Sequence, residues 1–202
     1  MVYLLLAIIM IGGLIFYFSK RKNLVSEKSI SSGQQQNDTI SKQQNKDNPY
    51  EGLRNMALNV TPDQLQLTLP VEQTKVYGVV MDWDLGEGIA TFISFVTGDA
   101  SMYLSSGGGM IGGSGHDNVI SAAKAFVAKA QNYLDKTSKT DTTPLPDKNC
   151  VRFYLLTNKG KFTAQEQLQN FDNNSSSWLS LFEEGNKVIT ELRIVEEGIR
   201  KK

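Results

Sequence analysis

The sequence predicts an α+β fold: an antiparallel sheet of about four or more strands with helices packed on it, preceded by one transmembrane helix. Three features support this prediction. Short segments rich in β-branched and aromatic residues are separated by tight turns, a long amphipathic segment follows them, and the N-terminus is continuously apolar. The 202-residue chain therefore divides into a transmembrane anchor (1–19), a disordered polar linker (20–49) and a soluble α+β domain (50–202).

The N-terminal apolar segment, Val2–Phe18, contains no charged residue and no proline. As an α-helix it would extend about 26 Å, close to the ~30 Å hydrocarbon core of a bilayer. A cleaved signal peptide needs a basic start and a small-residue cleavage site, and this segment offers neither. We therefore expect a retained anchor, with a signal peptide and a buried soluble helix as the alternatives.

Positive charges immediately follow the apolar segment, at Lys20, Arg21 and Lys22. Positive flanks of a membrane helix stay on the cytoplasmic side, so the domain is expected in the cytoplasm. The linker that follows is rich in Ser, Gln, Asn and Lys and has no apolar period, which is typical of disorder. It is expected to act as a spacer of about 30 Å end to end, or alternatively to carry a short partner motif.

Four strands are expected in the domain because four segments are rich in β-formers and bounded by turn residues. The predicted strands are Val76–Trp83, Ile89–Val96, Ala100–Ser105 and Cys150–Thr157. Leu85–Gly88 and Thr97–Asp99 supply the turns between the first three. Connections this short favour an antiparallel meander.

Helices are expected before, between and after these strands. The predicted helices are Tyr50–Leu58, a brief helix capped by Thr61, Asn118–Lys136 with Asp117 as N-cap, Thr163–Asn170 and Lys187–Val195, the last with a strand as the alternative. In the first helix, Leu53, Met56 and Ala57 share an apolar face. Thr137–Pro146 is predicted as a polar loop, and the apolar cluster Trp178–Phe182 is expected to pack on the core.

Thr163 and Glu166 have the spacing of a capping box, which is the reason for predicting a helix at Thr163–Asn170. A capping box joins the N-cap side chain and the side chain three residues later to each other's backbone N–H groups.

A glycine-rich segment between the third strand and the long helix is the candidate binding site. Its candidate ligand-binding residues are Ser106, Gly107, Gly108, Gly109, Gly112, Gly113, Ser114 and His116. The G-x-G-x-x-G spacing before a helix is the context in which backbone N–H groups bind phosphate. The alternatives are a loop whose glycines serve positive φ and tight packing, and an exposed loop that contacts a partner.

Other chemistry-bearing residues are few, and no catalytic residue or metal ligand is assigned. Asp82, Asp84 and Glu87 could attract a hard cation, but carboxylates at a turn are more often structural. His116 is the single histidine and Cys150 the single cysteine, and neither has the neighbours of a catalytic group. No cofactor is expected.

The charge distribution argues against nucleic-acid binding. Residues 1–50 carry six basic and three acidic residues, and because the whole chain is neutral, the remainder has a net charge of −3. A mildly acidic domain without a basic stripe is a poor match for phosphate backbones. The partners expected are the membrane, through the N-terminal helix, and a protein.

Three stretches carry a resemblance to a known kind of domain: SMYLSSGGGMIGGSGHDNV, CVRFYLLTNKGKF and NKVITELRI. From Tyr50 to Ile194 the chain resembles a domain of uncharacterised bacterial proteins. The resemblance implies a bacterial source and no activity. With the predicted anchor, a bacterial source leads us to expect a single-pass, inner-membrane location. The function expected is a membrane-tethered, non-enzymatic interaction module, with a small-molecule or nucleotide binder using residues 107–115, with or without enzymatic activity, as the alternative.

Overall fold

The computed structural model describes residues 48–200. Within them, seven strands form one antiparallel sheet with the order β4-β3-β2-β1-β6-β7-β5. The strands are β1 Val76–Asp84, β2 Ile89–Phe95, β3 Ala100–Leu104, β4 Gly109–Met110, β5 Ser138–Thr140, β6 Cys150–Thr157 and β7 Gly160–Gln167. The helices are α1 Tyr50–Leu58, α2 Asp117–Gln131, α3 Leu168–Asp172 and α4 Leu179–Arg200. The predicted α+β class with an antiparallel sheet is confirmed.

Helices cover both faces of the sheet. Because side chains alternate along a strand, Val80 faces one side and Met81 the other. On the first side, α1 packs through Tyr50, Ala57 and Leu58 in a cluster that includes Val80. On the second side lie α2 and α4, which approach closely because Gly185 of α4 leaves room for the Met81 side chain. The unit has its own core and spans residues 50–202, so it has the anatomy of a domain that folds independently.

Aromatic side chains hold the C-terminal segment against the second side of the sheet. Phe182 of α4 makes an edge contact with Trp83 of β1 at 5.1 Å between ring centroids and stacks on Phe171 at 4.3 Å. Trp178 stacks on Phe153 of β6 at 5.4 Å. The prediction that Trp178–Phe182 packs on the core is therefore confirmed.

The predicted helix at Thr163–Asn170 is wrong, because most of that segment is strand β7. Gly160, with φ of 108°, closes a tight turn after β6, and the chain returns alongside that strand. Glu166 does not cap a helix that begins at Thr163. Its carboxylate accepts hydrogen bonds from Asn170 and Ser176 and so supports the chain beyond β7.

Three further boundaries differ from the sequence-based expectation. The residues after Thr61 form only a 3-10 turn, Asp63–Leu65, although Thr61 and Gln64 make the reciprocal hydrogen bonds of a capping box. Helix α2 begins at Asp117, so His116 occupies the N-cap position instead. The predicted loop Thr137–Pro146 contains β5.

The predicted anchor and residues 20–47 of the predicted linker lie outside the described residues. Among residues 48–200, no helix has the length and apolar character needed to cross a bilayer.

Candidate functional site

The first half of the glycine-rich segment is a β-hairpin. The backbone N–H of Gly107 donates to the carbonyl of Leu104, and the N–H of Leu104 donates to the carbonyl of Gly108, at 2.9 and 3.0 Å. Gly107 and Gly108 both have positive φ, 96° and 89°. A Cβ on Gly109 would lie 2.2 Å from the carbonyl oxygen of Met102, so the pairing of β4 with β3 requires glycine there.

The second half of the segment leads into helix α2. Gly112 has a φ of 91°, and the 3-10 turn Gly113–Gly115 follows it. Gly113 is buried, and a Cβ there would lie 2.5 Å from Val119 of α2 and 3.0 Å from Leu192 of α4. The sequence therefore uses glycine at this point to bring the turn into contact with two helices.

The remaining candidate residues lie at the surface of this segment. Ser106 and Ser114 are exposed, and His116 is half-buried. The His116 side chain forms no capping hydrogen bond at the start of α2. The structure thus places the eight candidate residues along one hairpin and turn, and their predicted ligand-binding role stays a prediction.

A second polar arrangement lies inside the domain, between α1 and the sheet. The Arg54 guanidinium donates to the Asp82 carboxylate through Nε at 3.0 Å and Nη2 at 2.5 Å. Arg54 is 5% exposed and Asp82 is fully buried. A buried charge is tolerated only when it is paired and hydrogen-bonded, and this pair meets both conditions.

Hydroxyl groups complete this arrangement, which we call the Arg54–Asp82 network. Thr91 Oγ1 donates to Asp82 Oδ1 at 2.5 Å and lies 2.9 Å from the Tyr50 hydroxyl. Because the single hydroxyl proton of Thr91 is directed at the carboxylate, Tyr50 is the donor to Thr91. The network thus joins two residues of α1 to strands β1 and β2.

The network also fixes the loop that precedes β6. Arg54 Nη1 donates to the carbonyl of Thr143 at 3.0 Å, and Nη2 contacts the carbonyl of Pro144 at 3.3 Å. The Tyr154 hydroxyl donates to the same Pro144 carbonyl, and the guanidinium lies 5.6 Å from the Tyr154 ring centroid. With Tyr154, the network has five side chains, and all of them are buried. Their role is therefore to hold α1, the sheet and this loop together.

Two of the three carboxylates in the Asp82–Asp84–Glu87 motif form hydrogen bonds within the fold. Asp82 is engaged by Arg54, while Asp84 accepts the backbone N–H of Asn149 at 2.6 Å and that of Gly86 at 3.2 Å. Within residues 48–200, no group of His, Cys, Asp and Glu side chains is arranged to hold a metal ion. The two aspartates are structural.

Cys150 is buried at the start of β6, and burial raises the pKa of its thiol above the ordinary value. A raised pKa lowers the thiolate fraction and therefore the reactivity of the sulfur. Cys150 behaves as a small core residue.

Sequence reasoning missed the Arg54–Asp82 network, because the apolar face of α1 was assigned to Leu53, Met56 and Ala57. Met56 is in fact 69% exposed. The buried residues of α1 are Tyr50, Arg54, Ala57 and Leu58. Their i, i+4, i+7, i+8 spacing is the signal that could have placed Arg54 on the inner face.

Replacing Tyr50 with phenylalanine is expected to lower the free energy of unfolding by about 0.5–1.5 kcal/mol near pH 7, because Thr91 loses its donor. Burial raises the pKa of Tyr50 to about 12. Below the unfolded pKa of about 10 the phenol is neutral in both states, and its contribution is complete; it is lost as the pH rises toward 12.

The Tyr50→Phe variant has no phenol at this position and so does not lose this contribution as the pH rises. The difference in free energy of unfolding between the wild type and the variant is therefore expected to narrow above about pH 10. Urea denaturation at neutral and alkaline pH measures the gap. The buried Tyr77 and Tyr154, whose pKa values burial also raises, are present in both proteins and cancel in the comparison. A gap that stays constant or widens would contradict the prediction.

The fold and these two sites define the class of protein: an α+β domain with helices on both faces of an antiparallel sheet, an internal ion pair and a glycine-rich hairpin. No family model, curated protein or solved structure matches the chain.

Proposed function

We propose that this chain is a membrane-tethered, non-enzymatic interaction module. The Arg54–Asp82 network is the observation that carries the proposal. Tyr50 and Arg54 lie in the first helix of the domain, immediately after the predicted linker, and both are fixed to the sheet through buried hydrogen bonds. A domain fastened this firmly at its first helix does not depend on the preceding residues to keep its fold.

The apolar segment Val2–Phe18 and its basic flank Lys20–Lys22 support the tether and its orientation. In this proposal the anchor is a single-pass helix of the bacterial inner membrane and the domain lies on the cytoplasmic side. Protease treatment of spheroplasts tests the orientation. Cleavage of the domain from outside would contradict it, whereas protection until the membrane is permeabilised would support it.

Crosslinking in intact membranes tests the interaction role. The full chain and a truncated chain of residues 1–49 would be produced with the same tag, crosslinked with a lysine-reactive reagent and purified under denaturing conditions. We expect a protein that is recovered repeatedly with the full chain and not with the truncated one. Recovery of the same proteins with both chains would contradict an interaction through the domain.

A small-molecule or nucleotide site at the glycine-rich hairpin is the alternative proposal. The observation that favours it is that Ser106 and Ser114 are exposed on a glycine-rich turn that leads directly into α2. Thermal unfolding of residues 48–202 with ATP, GTP, NAD or inorganic phosphate tests this alternative. A shift removed by Ser114→Asp would support it, and the absence of a shift with every one of these ligands would exclude it.

A further inference from the structure

Four lysines surround the turn between β6 and β7, at one end of the sheet. We call Lys75, Lys139, Lys159 and Lys161 the lysine corner. The register pairs Lys161 with Thr140 and Lys139 with Phe162, so the Lys161 and Lys139 side chains leave opposite faces of this end of the sheet. A Cβ on Gly160 would lie 3.2 Å from the Lys139 Cε atom. Lys159 belongs to the turn itself. Basic residues of three separate chain segments therefore lie at this end of the sheet, on both of its faces.

Asn158 builds the scaffold that holds this corner. Its side-chain oxygen accepts the backbone N–H of Lys75 at 2.8 Å, and its side-chain nitrogen donates to the carbonyls of Pro70 and Gln73 at 2.7 and 2.9 Å. One asparagine thus fixes residues 70–75 against the β6–β7 turn. The lysines are presented by a fixed surface of the fold.

The charge of the corner is not neutralised by the fold. None of its four lysines forms an ion pair within residues 48–200, although the Lys161 ammonium donates to the Asn59 side chain at 2.8 Å. Glu72 and Asp141 are the acidic residues adjacent in the chain, so the corner keeps a net charge of +2. This sign is opposite to the −3 of the domain as a whole.

An exposed apolar side chain stands beside these charges. Val71 is 74% exposed and directly follows Pro70, whose carbonyl is held by Asn158. An apolar tip at the same end of the fold as several lysines matches the interface of an anionic bilayer. The tip enters the headgroup region, while the lysines reach lipid phosphates and keep their stems along the apolar boundary. An acidic protein would match the charge but would leave Val71 without an apolar environment.

We propose that the lysine corner docks on the surface of a bilayer containing anionic lipid, with Val71 inserted between headgroups. This contact is made by the domain itself and does not depend on whether Val2–Phe18 is a transmembrane helix. It goes beyond the tether, because a tethered domain that also docks would present one defined side to its partner.

Vesicle co-sedimentation of residues 48–202 tests the proposal, since this unit has its own core. The vesicles are pure phosphatidylcholine, or phosphatidylcholine with about one-third phosphatidylglycerol. We expect binding only to the anionic vesicles and its suppression by high salt. The triple variant Lys75→Gln, Lys139→Gln, Lys159→Gln is expected to bind roughly 100-fold more weakly, since each lysine near an anionic surface contributes about fivefold.

The matched control changes three lysines elsewhere, Lys124→Gln, Lys148→Gln and Lys187→Gln, with the same change in net charge. It is expected to retain most of the binding. A second readout uses Val71→Trp: its emission should be quenched by brominated anionic lipid, whereas the native Trp83 and Trp178 are 1% and 7% exposed and should respond little.

Three outcomes would overturn the proposal. They are equal binding to neutral vesicles, an equal loss in the control triple variant, and no binding to anionic vesicles at low salt. If vesicles are not bound but an acidic polypeptide is bound through the corner lysines, the surface is a protein-binding site instead. Failure here leaves the crosslinking test of the tethered module intact, because that test compares full and truncated chains without reference to lipid type.

Discussion

Replacing Arg54 with methionine is expected to lower the free energy of unfolding by about 3–5 kcal/mol, because it leaves Asp82 charged and without its cation in the interior. The carboxylate is fully buried and, among residues 48–200, would retain only the Thr91 hydroxyl as a donor. The loop at Thr143 and Pro144 would lose its donors from the guanidinium as well. Chemical denaturation monitored by circular dichroism measures the loss.

The double variant Arg54→Met, Asp82→Leu is the control for this interpretation. Buried ion pairs replaced by apolar residues of similar size are often neutral in stability, so the double variant should recover most of what the single variant loses. Thr91 and Tyr50 can still bond to each other. If the stability lost by the double variant equals the sum of the losses in the two single variants, the cost comes from lost packing and not from an unpaired charge.

Replacing Phe182 with alanine is expected to cost about 3–5 kcal/mol as well, through a different mechanism. The ring is 1% exposed and fills the space between Trp83 and Phe171. Its loss leaves a cavity that the neighbouring rings can close only in part, and it weakens the attachment of α4 to the sheet. Thermal unfolding measures the effect.

The matched substitution on the same helix is Ile199→Ala, at a side chain that is 65% exposed. A surface change of this kind is expected to stay within about 0.5 kcal/mol of the wild type. Similar losses from Phe182→Ala and Ile199→Ala would contradict the assignment of the Phe182 loss to a buried cavity.

The strands that the sequence predicted well are those with a strong hydrophobic signal. Cys150–Thr157 is strand β6 without a change in its limits, and the meander of β1, β2 and β3 lies within one residue of the prediction. These strands are buried on both faces, so β-branched and aromatic residues dominate them. The long amphipathic segment also has a strong hydrophobic signal, and it is a helix as predicted, although it ends at Gln131.

Strand β7 was missed because its apolar alternation is weak. One face of the strand carries Phe162 and Ala164, and the other carries only polar side chains. The local capping pattern at Thr163 and Glu166 therefore suggested a helix. Pairing with β6 over the full length of the strand overrides that local preference. Tertiary pairing of this kind cannot be read from a window of a few residues.

The sequence likewise predicted one part of the candidate site and missed the other. The glycine-rich segment was found because glycine is a local signal, and the structure gives steric reasons for Gly109 and Gly113. The Arg54–Asp82 network joins residues 28 positions apart, which no local pattern reveals. A charged residue on the inner face of a helix is the one trace that such a pair leaves in a sequence.

The two outermost strands of the sheet are the shortest, since β4 has two residues and β5 has three. Short edge strands offer few unpaired backbone groups to another chain, and an exposed lysine such as Lys139 on β5 opposes edge-to-edge pairing further. Crowding many copies on one surface normally promotes aggregation through open sheet edges. This domain is therefore expected to remain free of β-mediated self-association at high local concentration.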